Sequence, residues 1–160
     1  GPSSDLHLSV QSLGRDPIVA VGPRGSGLAQ KKQVDIGWLL KQRLVLPSHS
    51  HGLRALIEQA AAKKKLKLDV KLEADSFRVL TSLVEEGLGY SLLPPSSVRN
   101  EVADGRLEAA AIAKPAPMRE LTLASPIDHP GSTAITLVSE LLRGELVACR
   151  EEGLWDIKLA

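Results

Sequence analysis

The feature that most constrains the fold is a repeated change of hydrophobic period in the middle of the chain. Residues 43–46 (RLVL) form a short apolar run, and the apolar residues within 53–61 fall on one helix face. Residues 66–72 then alternate apolar and polar, which predicts a strand with one solvated face. Residues 77–88 return to helical spacing before an apolar run at 90–93. This alternation predicts an α/β fold with parallel strands joined by right-handed crossovers.

The two predicted helices carry ordinary start and stop signals. We expect Ser48 or Ser50 to cap the first helix and Asp75–Ser76 to cap the second, because these side chains accept hydrogen bonds from free N–H groups. The lysines at 63–65 suit the negative end of the first helix, and Gly87 should end the second.

The flanking segments extend the same pattern. A β-branched run at 17–21 leads into a turn-rich segment at 22–27, and further strands are predicted at 107–112 and 120–124. A last amphipathic helix should begin near Ser132.

The composition excludes several classes of protein. A hydrophobic content of 43% is enough for a core, while a net charge of +1 and 2% aromatic residues argue against nucleic-acid binding by this chain. No apolar run has the length of a membrane span, and the single Cys149 cannot form an internal disulfide, so we expect a cytoplasmic protein. Gly1-Pro2-Ser3 resembles a tag remnant, and we expect the natural chain to extend upstream.

Signals for nucleotide-dependent or nucleophilic catalysis are not met. Gly22 and Gly27 have the spacing of a phosphate-binding loop, but Leu28-Ala29 stands where a lysine and a hydroxyl residue are needed. No G-x-S-x-G elbow is present, and the segment around Ser26 reads as a plain turn. We therefore predict no catalytic residue and no cofactor.

The histidines do not predict a metal site. His49 and His51 are two residues apart, a spacing that no helix presents to one ion, and His7 and His129 are distant in sequence. We expect no metal to be bound.

What remains is a ligand site at the ends of strands. In open α/β sheets ligands bind beyond the carboxyl ends of strands, where helix N-termini offer unpaired N–H groups. Ser48, His49 and Ser50 precede the first predicted helix, and Asp75 and Ser76 precede the second. Hydroxyls and positive helix ends suit a small anion, typically a carboxylate. The alternative is that these side chains are only helix caps, each worth about 1 kcal/mol; both interpretations stay open.

Three stretches, in their order and spacing, carry a resemblance to a known family. They are VLPSHSHGLRALIE, LEADSFRVLTSLVEEGLGYSLLPPSSV and GRLEAAAIAKPAPMRELTLA, of which the second is the most specific. The chain resembles, from about Asp5 to its C-terminus, the effector-binding domain of LysR-type transcriptional regulators. That fold is similar to the type 2 periplasmic binding proteins.

The resemblance implies two α/β lobes joined by two crossing strands, with the effector in the cleft. It assigns residues 1–46 and 119–160 to the first lobe and 47–118 to the second, with crossing strands at Leu44–Pro47 and Leu121–Ala124. The family's DNA-binding helix-turn-helix and the opening of the first lobe are absent from this sequence. The first lobe is therefore expected to be incomplete, and part of the pocket to lie outside the chain.

The resemblance also implies an effector site. Members of the family often carry an arginine and a proline where this chain has His49 and Ser50, so an arginine anchor is not expected here. At the cleft, the imidazole of His49 could add a positive charge below about pH 6.5; the alternative, which stays open, is that His49 is a solvated loop residue. The residues that match the two cleft loops are Ser48, His49, Ser50, Asp75, Ser76 and Phe77.

The implied function is ligand sensing within a transcriptional regulator, not catalysis. The expected partners are a small, anionic effector and a second copy of the chain, with DNA bound only through the missing domain. The dimer would pair a helix from Ser132 to Cys149 with a helix from Leu53 to Lys64 of the mate. The alternative is a solute-binding protein of a transport system with the same fold, which a secretory leader upstream would reveal.

Overall fold

The computed structural model describes residues 8–127 and 132–160; Asp5, His7 and His129 lie outside these ranges. Nine strands and five helices are found in the described residues, together with a 3-10 turn at Pro95–Ser97. In chain order they are β1 (Leu8–Pro17), β2 (Val19–Pro23), β3 (Gln33–Val34), α1 (Ile36–Leu39), β4 (Arg43–Leu46), α2 (Gly52–Lys63), β5 (Asp69–Glu73), α3 (Phe77–Glu85), β6 (Ser91–Leu93), α4 (Arg99–Ala103), β7 (Leu107–Ile112), β8 (Met118–Pro126), α5 (Thr133–Glu151) and β9 (Lys158–Leu159).

The chain divides into two compact units. Residues 17–119 form one unit, and the described residues of 1–16 and 120–160 form the other. The lobe bounds implied by the resemblance, 1–46 with 119–160 and 47–118, remain a prediction. Residues 17–46 lie in the larger unit together with residues 47–118.

The resemblance implied a crossing strand at Leu44–Pro47, and the structure places this segment within the larger unit. Its apolar residues are fully buried and pair with β5 inside the larger unit, whereas the two unit boundaries fall within β1 and at the start of β8. An apolar run closed by a proline is compatible with either role, and only the pairing distinguishes them.

The larger unit contains mixed rather than purely parallel strands. Strands β4 and β5 are parallel and joined by α2, as predicted, but β2 is antiparallel to both β6 and β7. The sheet order is β3-β7-β2-β6, and a parallel bridge between Leu44 and Tyr90 links β4 to the segment before β6. The predicted parallel pairing is found for β4 with β5 and for β3 with β7, but it does not extend to β2, which runs antiparallel to both of its neighbours.

The core of this unit fixes where the loops emerge. Leu44, Val45 and Leu46 of β4 are inaccessible to solvent and pack in one cluster that also contains Ile57 of α2 and Leu80 of α3. Because β4 and β5 are parallel, their carboxyl ends point the same way. The loops that lead into α2 and α3 therefore begin at the same edge.

The smaller unit is a three-stranded sheet, in the order β8-β1-β9, together with α5. Helix α5 begins after Ser132, as predicted, and none of its residues is buried. Leu137, Val138 and Leu141 are more than half exposed. Within the described residues, no helix has the length and apolar character needed to cross a membrane.

Candidate functional site

The two predicted ligand loops are joined by hydrogen bonds between Ser48 and Asp75. The Ser48 amide N–H and hydroxyl both donate to Oδ1 of Asp75, at 3.0 and 2.7 Å. The hydroxyl oxygens of Ser48 and Ser50 are 2.9 Å apart. The structure therefore brings Ser48, Ser50 and Asp75 together across 27 residues of sequence.

Asp75 is held as a carboxylate. Its pKa is lowered chiefly by the Ser48 hydroxyl and then by the Ser48 amide, while desolvation acts in the opposite direction. Both donors of Ser48 are thus used inside the protein. Among the described residues, Oδ2 of Asp75 has no hydrogen-bond partner, so it remains an exposed acceptor.

Helix α2 is capped by His51, not by a serine. Nδ1 of His51 accepts a hydrogen bond of 3.1 Å from the amide of Leu53, while the Ser48 and Ser50 hydroxyls bond elsewhere. The predicted serine cap was therefore wrong. The His51 ring also lies 5.7 Å from the Phe77 ring, centroid to centroid, which adds a second contact between the two loops.

Helix α3 has an open N-terminus. Ser76 occupies the N-cap position, as predicted, but its side chain makes no capping hydrogen bond. The first-turn amides, those of Phe77, Arg78 and Val79, precede the first intrahelical donor, Leu80. Ser76 is exposed, and within residues 8–127 and 132–160 no hydrogen bond is found for these first-turn N–H groups, so the helix end is open next to Asp75.

His49 is directed away from this cluster. Its Nδ1 lies 2.9 Å from Glu58, its Nε2 lies 3.2 Å from Arg54 Nη2, and Glu73 is 3.8 Å away. Its ring nitrogens therefore contact Glu58, Glu73 and Arg54 rather than Ser50 or Ser76. His49 is therefore the one of the six predicted site residues whose polar side-chain contacts lie outside the Ser48–Ser50–Asp75 cluster.

Arg54 was missed by the sequence reasoning and organises the loop. Only 5% of its side chain is exposed; Nη1 donates to the Pro47 carbonyl at 3.0 Å and to Glu73 at 2.8 Å, and Nε donates to Glu58 at 2.8 Å. The guanidinium thus ties the start of the loop to α2 and β5. The spacing of four residues between Arg54 and Glu58 was the one available signal.

The glycine-rich turn is filled by a carboxylate of the chain itself. Glu108 accepts hydrogen bonds from the Gly25 amide (2.8 Å), the Ala29 amide (3.2 Å) and the Ser26 hydroxyl (3.0 Å). These bonds, first those of Gly25 and Ala29, lower the pKa of Glu108. The interpretation of this segment as a plain turn is confirmed.

No metal centre is found in residues 8–127 and 132–160, where no group of three or more His, Cys, Asp or Glu side chains is arranged to hold an ion. Cys149 is a free, partly buried thiol in α5.

Comparison with known proteins gives the family. The model of the LysR substrate binding domain matches residues 1–147. The HTH-type transcriptional regulator BbuR of Bordetella bronchiseptica is 30% identical over 154 residues, which are 96% of this chain and 47% of that protein. The nitrogen assimilation regulatory protein nac of Escherichia coli is 26% identical over 151 residues, 94% of this chain and 48% of its own. The chain therefore spans about half the length of these relatives.

Solved structures share the fold. The regulatory domain of CcmR from Synechocystis in complex with 2-PG has a TM-score of 0.75 at 21% identity, with 90% of this chain and 69% of that one covered. The effector-binding domain of QuiR in complex with shikimate has a TM-score of 0.72 at 20% identity, with coverage of 88% and 66%. With the family model matched over residues 1–147, the chain belongs to the LysR substrate-binding domain family, the non-enzymatic, ligand-binding regulatory domains of LysR-type transcriptional regulators.

Proposed function

We propose that this chain senses a small, hydroxylated carboxylate at the loops that precede α2 and α3. The observation that carries the proposal is the Ser48–Asp75 pair, which fixes an ionised carboxylate beside the open N-terminus of α3. Ser48, Ser50, Asp75, Ser76 and Phe77 form this candidate site.

The chemistry of the loops supports a ligand with two kinds of polar group. Oδ2 of Asp75 can accept a hydrogen bond from a ligand hydroxyl, whereas an anion next to it would be repelled. The Ser76 hydroxyl and the first-turn amides of α3 are donors near the positive end of a helix, where carboxylates bind well. Ser48 positions Asp75. Shikimate, the ligand named for QuiR, is a hydroxylated carboxylic acid and has this combination.

In the whole protein, effector binding would act on transcription. The relatives are named as helix-turn-helix regulators, and we propose that DNA is bound in the cytoplasm by a domain outside this sequence. We further propose that residues 17–119 are the family's second lobe. An effector changes DNA binding only if it favours one arrangement of the regulator over another.

The first test uses shikimate and related hydroxy acids as probes, followed by amide NMR of the chain. We expect the largest shifts at Ser50, Asp75 and Ser76. Replacing Ser76 with alanine should weaken binding by about 1–2 kcal/mol, roughly five- to thirty-fold, the cost of a lost hydrogen bond to a charged group. Ser96→Ala, at an exposed serine in the 3-10 turn, is the matched control and should bind as the wild type does.

Two results would contradict this proposal. One is equal affinity for a hydroxy acid and its uncharged carboxamide, because the N-terminus of α3 would then contribute nothing to binding of the carboxylate. The other is unchanged affinity in both Ser76→Ala and Ser48→Ala, which would place the ligand elsewhere.

We also propose that the chain self-associates through α5. Leu141 is 68% exposed, with Leu137 and Val138 also exposed beside it, and a surface of this kind is normally covered. The expected pairing places α5 against α2 of a second copy.

Sedimentation at micromolar concentration should give a dimer or larger species that buries more than about 1,000 Å². Leu141→Glu should shift it towards monomer, whereas Val102→Glu, at an exposed valine of α4, should not. A wild-type monomer of 17.1 kDa would contradict the pairing.

A further inference from the structure

The positive charge of the chain is concentrated in one stretch. Residues 31–71 contain ten Lys and Arg but three Asp and Glu, a net charge of +7, whereas the whole chain has +1. The remaining residues therefore carry a net charge of −6. The near-neutral total conceals a strong charge asymmetry.

The fold gathers these charges at one end of the larger unit. Strands β4 and β5 run parallel, with Arg43 opposite Asp69 at their amino ends, and α2 joins the carboxyl end of β4 to the amino end of β5. The end of α2 therefore returns to the strand starts. We call this cluster the basic pole; it comprises Lys41, Arg43, Lys63, Lys64, Lys65 and Lys67.

Contacts with α1 support this placement. Nζ of Lys64 lies 3.3 Å from Asp35, the residue that caps α1, and the Lys41 amide bonds to the carbonyl of Trp38 in that helix. Lys64 and Lys41 thus adjoin the same short helix. The lysines at the C-terminal end of α2 and the cations at the start of β4 thus lie at the same end of the larger unit.

Most of the basic pole is not neutralised. All six side chains belong to exposed residues, and in the described part of the chain only Lys64 has an ion pair. Lysines at 63–65 complement the α2 dipole, but this explanation does not extend to Lys41, Arg43 or Lys67, which lie outside the helix.

We infer that the basic pole binds the phosphate backbone of DNA. A protein partner would normally need an apolar centre, yet no large hydrophobic side chain is exposed between residues 31 and 71. Unpaired lysines without aromatic residues between them fit a partner recognised by charge rather than by base sequence. This inference rests on one part of the proposed function, namely that the complete regulator binds DNA.

The basic pole and the effector site are separate. They lie at opposite ends of α2, whose 12 residues correspond to about 18 Å at 1.5 Å per residue. A phosphate contact at one end therefore leaves Asp75 and Ser76 accessible at the other. Backbone contacts of this kind would add affinity to DNA beside the site read by the helix-turn-helix.

Fluorescence anisotropy with a short duplex of arbitrary sequence tests the inference on the chain as it is. We expect binding at roughly 50 mM salt that weakens steeply at higher salt. In the double variant Lys63→Glu/Lys65→Glu, the negative slope of log K against log salt should become shallower by about 2. Each lost phosphate contact removes about 0.9 from its magnitude. The matched variant Arg24→Glu/Arg150→Glu makes the same change of net charge at two arginines that are not part of the basic pole, and it should keep the wild-type slope.

Each other outcome overturns the inference. Absence of binding at low salt would do so, and so would an equal loss in the two double variants, because net charge alone would then explain it. Binding to poly-glutamate but not to the duplex would assign the basic pole to an acidic protein instead. Both double variants should still show the shift of the Ser76 amide when a hydroxy acid is added. Loss of DNA binding can then be distinguished from failure of the proposed effector site.

Discussion

Replacing Arg54 with methionine should lower the free energy of unfolding by about 2–4 kcal/mol. Removal of one partner of a buried ion pair leaves the other charge uncompensated, at about 3–5 kcal/mol. Here Glu58 and Glu73 are 42% and 40% exposed, so water offsets part of that cost. The Pro47 carbonyl also loses its donor. Urea denaturation of the chain measures the difference.

Arg54→Lys and Arg143→Met separate charge from geometry. Lysine keeps the charge but cannot donate to Pro47, Glu58 and Glu73 from a fixed planar group, so most of the loss should persist. Arg143, which bonds Gln11 on the surface, should tolerate methionine within about 0.5 kcal/mol. A change in Arg54→Met as small as that in Arg143→Met would refute the role assigned to Arg54.

Replacement of Arg54 should also change the pKa of Asp75. Because Arg54 holds Pro47, its loss frees the loop that directs the Ser48 donors, and the lowered pKa of Asp75 should rise towards its ordinary value. A depressed carboxyl pKa stabilises the fold above the unfolded pKa, and that contribution disappears as pH falls through the folded value. Carboxyl NMR titration of Asp75 in Arg54→Lys excludes a simple effect of charge.

Elements with local periodicity were predictable from the sequence. The order β4-α2-β5-α3 follows from the changes of hydrophobic period, and the end of α3 at Gly87 follows from a φ of 72°, which glycine adopts without strain. The proximity of Ser48 and Asp75 followed from the rule that parallel strands end at one edge. These features depend on neighbours in sequence or on a general rule of topology.

The features that were missed depend on contacts between distant residues. The Ser48 hydroxyl bonds Asp75 and Ser50 rather than the start of α2, and His51 caps that helix instead. The direction of β2 likewise depends on its pairing with β6 and β7. Arg54 looked like one more charged helix residue. Its burial appears only when β5 brings Glu73 against it.

The second large effect is expected for Gly89→Ala. A Cβ atom at this position would lie 2.7 Å from the carbonyl oxygen of Arg43 and 3.1 Å from Cγ2 of Val45, and the first contact is with backbone. That same oxygen accepts the hydrogen bond of the Tyr90 amide at 2.8 Å. The strands must separate to admit a methyl group. We expect a loss of about 2–3 kcal/mol, typical of overpacking in a core.

Gly52→Ala is the matched control, since Gly52 begins α2 and a Cβ atom there would meet nothing within 4 Å. Its free energy of unfolding should stay within about 0.5 kcal/mol of the wild type. If Gly89→Ala were equally mild, the close approach of β4 would be absent in solution. If the loss in Gly89→Ala is as large as expected, Gly89, the second glycine of GLGYSLLP, serves strand packing rather than ligand binding. Part of the stretch most specific for the family would then serve the packing of β4 against the segment before β6 rather than ligand binding. Ser76→Ala leaves that packing intact, so it would remain the variant that tests the ligand site.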